Sequence, residues 1–212
     1  MMRKCIGIFG GTFDPIHLGH LRLALELKQQ LALDEMHLLP CYLPPHRAAP
    51  GASAPQRVDM LQLALHNCPE LQIDKRELQR DKPSYTLDTL REIRAEQGGQ
   101  TSLSLCMGMD SFCTLDTWYE WQQLIRLAHI VVVERPGYEL PAVGPVAELV
   151  RRHSADVAAI KTAAMGAVVI VAPRLLPVSA TDIRAQLKTG QSPQFLLPDA
   201  VLEYIHAQQL YR

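Results

Sequence analysis

Long hydrophobic runs, paired cysteines and an excess of charge of either sign are all missing from this sequence. No apolar run approaches the ~20 residues that a helix needs to span a bilayer. The segment from Met1 to Phe9 is too short, and is broken too soon by Gly10 and Gly11, to predict a signal peptide. We therefore expect a protein that neither crosses a membrane nor is secreted.

The cysteines are odd in number and scattered along the chain, and no two form a Cys-x-x-Cys pair; they are Cys5, Cys41, Cys68, Cys106 and Cys113. This pattern favours free thiols in a reducing compartment over a disulfide framework or a zinc site, and so predicts a cytoplasmic protein. The formal net charge of -1 excludes the global basic field that drives non-specific nucleic-acid binding. We expect no nucleic-acid or membrane partner, and any anion site must be local.

The composition is that of a globular chain with a substantial core. The 212 residues fit one ordinary domain, and 48% of them are hydrophobic against 20% charged. Short apolar runs, typical of buried strands, alternate with longer amphipathic stretches, typical of helices. The candidate strands are 5–9, 36–39, 103–107, 130–133 and 168–171, and the candidate helices are 18–31, 57–67, 86–97, 143–152, 181–188 and 200–209.

This alternation predicts the α/β fold class, with a doubly wound parallel sheet and helices on both faces. In such sheets ligands gather at the carboxyl ends of the strands. We expect residues 1–212 to form a single domain in which a part from about residue 178 to 212 is a small helical appendage. The stretch 40–55, rich in proline and alanine, predicts a long surface loop of the kind that often serves as a lid.

The first motif joins a strand, a glycine pair and two histidines, and runs from Ile8 to His20 with the sequence IFGGTFDPIHLGH. Gly10 and Gly11 permit a sharp turn and a close approach to a ligand, and free amides at the following helix start suit a phosphate. The motif is neither a P-loop nor Gly-x-Gly-x-x-Gly. His17 and His20 lie on one face of the helix start, where both can donate to one polyphosphate.

The alternatives for the two histidines are a metal pair or simple surface residues. No third ligand of suitable spacing accompanies them, so we predict no metal ligands in the chain.

The second motif, VSATDIR, runs from Val178 to Arg184. Ser179 or Thr181 can cap the helix that follows. A cap alone does not need two hydroxyls and an arginine three residues after the second of them. Together with free amides, these side chains predict a second anion clamp.

The first motif resembles the His-x-Gly-His signature of the nucleotidylyltransferase superfamily, which has a Rossmann-like core, and the second resembles its Ser-x-Thr-x-Ile-Arg element. The resemblance implies that His17, His20 and Arg184 are catalytic and meet the phosphates of ATP. The ATP-binding residues that it implies near the two motifs are Gly10, Gly11, Thr12, Phe13, Ser179, Thr181 and Arg184.

Further segments resemble bacterial nicotinate-nucleotide adenylyltransferases, and this resemblance covers nearly the whole chain from residue 8 to 212. The segments are PPHR at 44–47, SYTLDTL at 84–90, GMDS at 108–111, TWYEW at 117–121, RPGY at 135–138 and the tail 196–212. The resemblance implies that a nicotinate ring stacks on Trp118 and that its carboxylate is held by the backbone amides of Thr86 and Tyr119. It also implies that Gly108 and Asp110 lie along the nucleotide. The residues implied for nicotinate mononucleotide are His46, Arg47, Tyr85, Thr86, Trp118, Tyr119 and Arg135.

Several of these residues have a purely structural alternative. Trp118 could pack in the core, Asp110 could cap a helix, and Tyr85 could be a hydrophobic staple at a helix start. Simple solvent exposure is the alternative for the loop residues His46, Arg47 and Arg135.

The implied reaction transfers AMP from ATP to nicotinate mononucleotide, giving nicotinate adenine dinucleotide and pyrophosphate without a covalent intermediate. The attacking phosphate has a second pKa of about 6 and is ionised at neutral pH, so no general base is required. Mg²⁺ on the ATP phosphates, held mainly by phosphate oxygens and water, would add neutralisation. The alternatives are adenylylation of nicotinamide mononucleotide or another phosphorylated metabolite, and a non-catalytic nucleotide-binding regulator. The sequence indicates neither a monomer nor a homo-oligomer.

Overall fold

The computed structural model describes residues 3–42, 50–80 and 84–212. Within these ranges six strands form a parallel sheet in the order β3-β2-β1-β4-β5-β6. The strands are β1 (Cys5–Gly11), β2 (Glu35–Pro40), β3 (Leu71–Ile73), β4 (Ser102–Gly108), β5 (His129–Val133) and β6 (Val168–Val171). The strand order reverses at β1, as in a doubly wound Rossmann-like sheet. The predicted fold class is confirmed.

Helices connect these strands and follow the last of them. They are α1 (Leu18–Gln30), α2 (Ala54–Leu65), α3 (Thr86–Gln97), α4 (Met109–Phe112), α5 (Pro145–His153), α6 (Ala159–Thr162), α7 (Ala180–Lys188) and α8 (Asp199–Ala207). Short 3-10 helices cover Arg76–Gln79, Leu115–Thr117 and Trp121–Arg126. In the described ranges, no helix has the length and apolar character that a membrane crossing requires.

Every predicted strand and helix is present, and α3 and β6 begin and end where the sequence pattern places them. Apart from the 3-10 helices, the described elements that the pattern did not predict are β3, α4 and α6. Each has only three or four residues, which is too few to show a periodicity.

A capping box explains why α2 begins at Ala54, ahead of its predicted start. The amide of Gln56 donates to Ser53 Oγ at 3.4 Å, and the amide of Ser53 donates to Gln56 Oε1 at 2.9 Å. Pro55 lies in the first turn, where an amide would have no partner within the helix. The Ser-x-x-Gln spacing is itself a helix-start signal, so this boundary was readable from the sequence.

The described residues divide into two compact units through which the chain passes alternately. The first unit contains residues 3–10, 27–37 and 85–173, and the second contains 11–26, 38–42, 50–80, 84 and 174–212. The sequence-based expectation of a single domain with a C-terminal helical part stays a prediction.

Arg94 on α3 stabilises the first unit by holding several backbone carbonyls at once. Its guanidinium donates to the carbonyl oxygens of Gly98 at 3.0 Å, Thr101 at 2.6 Å, Leu127 at 3.1 Å and Ala164 at 3.1 Å. These carbonyls lie at the end of α3 and next to the starts of β4, β5 and β6. One side chain therefore donates to backbone carbonyls on three connecting segments, which lead into β4, β5 and β6.

His129 opens β5 and is fully buried. Its Nε2 donates to the carbonyl oxygen of Ala163 at 3.1 Å, and its Nδ1 accepts the amide of Ala167 at 3.2 Å. Acceptance at Nδ1 requires a neutral ring. Burial is the main cause that lowers the pKa of His129 from its ordinary value. The imidazole is thus held neutral beside the start of β6.

We expect the free energy of unfolding to decrease as the pH is lowered through the ordinary histidine range, about 6.5, and below it, because unfolded His129 takes up a proton that the folded ring resists. The contribution is complete above the pKa of the unfolded imidazole and is lost as the pH falls towards the lowered folded value. Urea unfolding at several pH values measures it.

Two variants make this test specific. His129→Gln, whose amide can donate and accept but does not titrate, should show a weaker pH dependence than the wild type. The exposed His66→Gln should keep the wild-type dependence. An unchanged pH dependence in His129→Gln would show that His129 is not the responsible group.

Candidate active site

The first motif leaves β1 and enters α1 through a tight loop. Gly10 and Gly11 still lie in β1 and neither has a positive φ, whereas Phe13 is left-handed with φ of 50°. The expectation of a turn at the glycines is therefore wrong, and the turn follows the left-handed Phe13, at Asp14 and Pro15. Gly11 is nevertheless sterically restricted, because a Cβ there would lie 2.9 Å from the Phe13 ring. A Cβ on Gly10 would meet no atom of the described residues within 4 Å.

His17 caps the helix that carries His20. Its Nδ1 accepts the backbone amide of His20 at 3.3 Å, as an N-cap side chain does. Because Nδ1 accepts, the neutral ring carries its proton on Nε2. The two rings stack with centroids 3.6 Å apart, and Phe13 meets His20 edge-on at 5.2 Å. His17 is only 4% exposed while His20 is half-buried, so the more accessible imidazole has a fixed orientation.

Gly19 lies where the two motifs meet within the second unit. A Cβ on this residue would lie 3.0 Å from the His17 ring and 3.2 Å from the carbonyl oxygen of Val178. Val178 immediately precedes Ser179, so the second motif runs alongside the start of α1. A side chain at position 19 would displace one motif or the other, which is a physical reason for the glycine between the histidines.

The two hydroxyls of the second motif have different roles. Ser179 is the N-cap of α7, since its Oγ accepts the amide of Asp182 at 3.1 Å. Thr181 Oγ1 instead accepts from Arg184 Nη2 at 3.4 Å, while Arg184 Nη1 donates to the carbonyl oxygen of Asp14 at 2.6 Å. The Arg184 side chain is 35% exposed. The second motif therefore attaches its arginine directly to the loop of the first.

Asp14 is a buried carboxylate that joins several segments of the second unit. Its Oδ2 accepts the amide of Gly51 at 2.8 Å, and its Oδ1 accepts the amide of Ala52 at 3.0 Å and the hydroxyl of Tyr211 at 2.7 Å. Arg184 Nη1 lies 3.8 Å from Oδ2. Asp14 lies in the first motif and Tyr211 in the tail that carries the resemblance, but no sequence pattern linked them, because nothing in a single sequence links two residues so far apart.

Arg57 on α2 fixes the neighbouring part of the same loop and is 1% exposed. Its Nη1 donates to the carbonyl oxygen of Thr12 at 2.6 Å, and its Nη2 donates to that of Tyr42 at 3.1 Å. Burial is the main cause that lowers the pKa of Arg57, which remains a cation at neutral pH. The sequence pattern places Arg57 at the start of a candidate helix and indicates no role for it.

In the first unit, Gly108, Asp110 and Arg135 lie together at the carboxyl end of β4. Arg135 Nη1 lies 3.4 Å from Asp110 Oδ1. A Cβ on Gly108 would overlap that same carboxylate oxygen. The N-cap of α4 is Gly108 and Asp110 lies in the first turn, so the structure does not support Asp110 as the helix cap.

A second cluster in the first unit surrounds the start of α3. The rings of Tyr85 and Tyr119 lie 4.8 Å apart, which brings the helix start beside the segment that carries Trp118. Trp118 is half-buried and lies outside the hydrophobic core. Tyr85 gives α3 no side-chain cap. Among the described residues, the backbone amides of Thr86 and Tyr119 donate to no acceptor.

Two predicted site residues, His46 and Arg47, lie outside the described residues, as does most of the predicted loop 40–55. In the described part of the chain, no group of three or more His, Cys, Asp or Glu side chains could hold a metal ion. All five cysteines are free thiols.

Comparisons with known proteins agree on one family. The cytidylyltransferase-like family model matches residues 8–186. A curated protein of Cellvibrio japonicus (strain Ueda107), named "Probable nicotinate-nucleotide adenylyltransferase", is 60% identical over 211 residues that cover 100% of both chains. A protein of the same name from Pseudomonas aeruginosa (strain UCBPP-PA14) is 49% identical, covering 100% of this chain and 99% of the relative.

A solved structure shows the same fold at low sequence identity. It is Plasmodium falciparum nicotinic acid mononucleotide adenylyltransferase complexed with NaAD, which matches with a TM-score of 0.74 and 17% identity over 99% of this chain and 98% of that chain. Since full-length relatives reach 60% identity, the chain belongs to the nicotinate-nucleotide adenylyltransferase family of nucleotidyltransferases.

Proposed function

We propose that this protein transfers AMP from ATP to nicotinate mononucleotide, giving nicotinate adenine dinucleotide and pyrophosphate. The observation that carries the proposal is the hydrogen bond of Arg184 to the carbonyl oxygen of Asp14, at 2.6 Å, within the loop that leads to His17 and His20. The bond joins the second motif to the first. The names of the full-length relatives support the choice of acceptor.

In this proposal the triphosphate of ATP contacts the second unit. His20 is half-buried, and its ring is held by the stacked His17 and the edge of Phe13. A donor held in this way needs no reorganisation when negative charge builds up on the phosphates. Arg184 adds a partly exposed guanidinium. Backbone groups of the loop, Ser179 and Thr181 complete the proposed contacts.

The reaction needs charge neutralisation and orientation more than proton transfer. The acceptor's phosphate is already ionised at neutral pH, so it attacks the α-phosphorus in line without a general base. Bringing two polyanions together is the main obstacle, and oriented cationic and amide donors reduce it. Such donors are provided by His17, His20 and Arg184.

The first unit offers features suited to a pyridine carboxylate. Thr86 is the first residue of α3, and the amides of a helix's first turn, together with its dipole, favour an anion. The amide of Tyr119 lies in the segment that the Tyr85 contact brings beside this helix start. Trp118 supplies an aromatic face for the ring. We assign Gly108, Asp110 and Arg135 to nucleotide binding because of the family resemblance and because they lie together at the carboxyl end of β4.

Mg²⁺ fits this site as a companion of ATP. The described residues offer no three-ligand metal cluster, and Mg²⁺ in nucleotide sites is bound largely by phosphate oxygens and water. When bound, it neutralises part of the phosphate charge. We further propose a cytoplasmic location, which the five free thiols support.

The direct test is release of pyrophosphate from ATP in the presence of nicotinate mononucleotide. We expect turnover with this acceptor and much weaker turnover with nicotinamide mononucleotide, because amide donors favour a carboxylate over a carboxamide. A coupled pyrophosphate assay across a panel of mononucleotides measures both. A preference for the amide would refute the acceptor, and ATP binding without release for any acceptor would favour a regulator.

His20→Ala should lower kcat on the order of 10²–10³-fold, because it removes a fixed donor to the developing phosphate charge. The exposed His66→Ala serves as the matched control and should retain wild-type kcat. Circular dichroism and urea unfolding establish that both variants are folded. A folded His20→Ala protein with a wild-type rate would contradict the role of His20.

Thr86→Pro removes one backbone amide at a position where proline is tolerated in a helix. Tyr85, with ψ of 126°, already has the extended backbone that precedes proline. We expect KM for nicotinate mononucleotide to rise about tenfold, the effect of losing one hydrogen bond to a charged group, with KM for ATP unchanged. Thr86→Ala keeps the amide and should bind the acceptor normally. Equal KM values in the two variants would exclude this amide as a hydrogen-bond donor to the carboxylate of nicotinate mononucleotide.

A further inference from the structure

Tyr211 contacts the first motif although the two are far apart in the sequence. Its hydroxyl donates to Asp14 Oδ1 at 2.7 Å. Its ring packs against Gly51, where a Cβ would lie 3.0 Å from the ring. Gly51 in turn donates its amide to the other carboxylate oxygen of Asp14 at 2.8 Å. Tyr211 therefore contacts both the carboxylate and one of the backbone segments that bind it.

A second tyrosine–aspartate pair in the same unit provides a contrast. The hydroxyl of Tyr204 on α8 donates to Asp59 Oδ2 on α2 at 2.8 Å. Asp59 is exposed, and neither residue belongs to the two motifs. A hydrogen bond from a tyrosine hydroxyl to an aspartate carboxylate thus occurs at the candidate site and also away from it.

The donors around Asp14 determine how strongly it attracts Arg184. Arg184 Nη1 lies 3.8 Å from Asp14 Oδ2, beyond hydrogen-bond distance, and donates at 2.6 Å to the neutral carbonyl oxygen instead. The amides of Gly51 and Ala52 and the Tyr211 hydroxyl already supply donors to the carboxylate. Without the hydroxyl, a buried anion would lack one donor, and the nearest cation among the described residues that could replace it is Arg184.

We propose that Tyr211 is a positioning residue, whose hydroxyl satisfies the Asp14 carboxylate and thereby leaves the Arg184 guanidinium available to the phosphates of ATP. This inference rests on the proposed function, in which Arg184 contacts those phosphates. Burial and then the hydrogen bond to Asp14 raise the pKa of Tyr211 well above its ordinary value. The hydroxyl is therefore protonated, and able to donate, throughout the neutral pH range.

Tyr211→Phe removes the hydroxyl and keeps the ring against Gly51. We expect KM for ATP, and the Kd for ATP measured by calorimetry, to rise at least fivefold, while KM for nicotinate mononucleotide stays unchanged. Tyr204→Phe removes the corresponding hydroxyl of the other pair and should match the wild type in all three constants. Urea unfolding of both variants detects any loss of stability. An unchanged ATP affinity in folded Tyr211→Phe would overturn the inference.

A double-mutant cycle separates positioning from a general structural effect. In an Arg184→Gln background, Tyr211→Phe should cause no further rise in the Kd for ATP, because the residue through which it acts is gone. The same fold-rise in both backgrounds would show that Tyr211 acts independently of Arg184 and would refute the proposal. Wild-type pyrophosphate release tests the proposed function separately, whereas calorimetric ATP binding tests the inference even if the acceptor assignment fails.

Discussion

The buried charge of Asp14 is the constraint on which the second unit depends. A carboxylate that is 6% exposed is stable only when donors surround it. Those donors come from Gly51, Ala52 and Tyr211, with Arg184 close by. They belong to three separate stretches of the chain. Satisfying one charge therefore also brings the first motif, the residues before α2 and the tail with Tyr211 together, and Arg184 of the second motif donates to the carbonyl of the same residue.

The fold could be predicted wherever the determining pattern is local. The apolar run of β5 is buried along its whole length, as a strand covered on both faces should be, and α3 coincides with its amphipathic period. The sequence pattern failed where contacts with neighbouring elements determine the local backbone structure. The three residues of β3 form a strand only beside β2, and the left-handed backbone lies at Phe13 although the preceding glycines could adopt it more easily.

Residues of the candidate site could be predicted where the type of side chain itself indicates the role. His20 and Arg184 carry distinctive side chains in recognisable motifs, and the structure places both residues in the second unit. The roles of Arg57 and Asp14 were missed because most of their partners are backbone amides and carbonyls, which every position possesses. Such partners leave no signature in the sequence, and only the folded chain reveals which carbonyl or amide is used.

The alternating path of the chain through the two units has a consequence for synthesis on the ribosome. All described residues of the first unit have been translated by residue 173, including Ala164, the last carbonyl that Arg94 holds. The second unit still lacks α7, α8 and the hydroxyl that binds Asp14 at that stage. During elongation the carboxylate therefore lacks this donor until residue 211 has been translated, so the contacts of Asp14 are completed only after all of the first unit has been made.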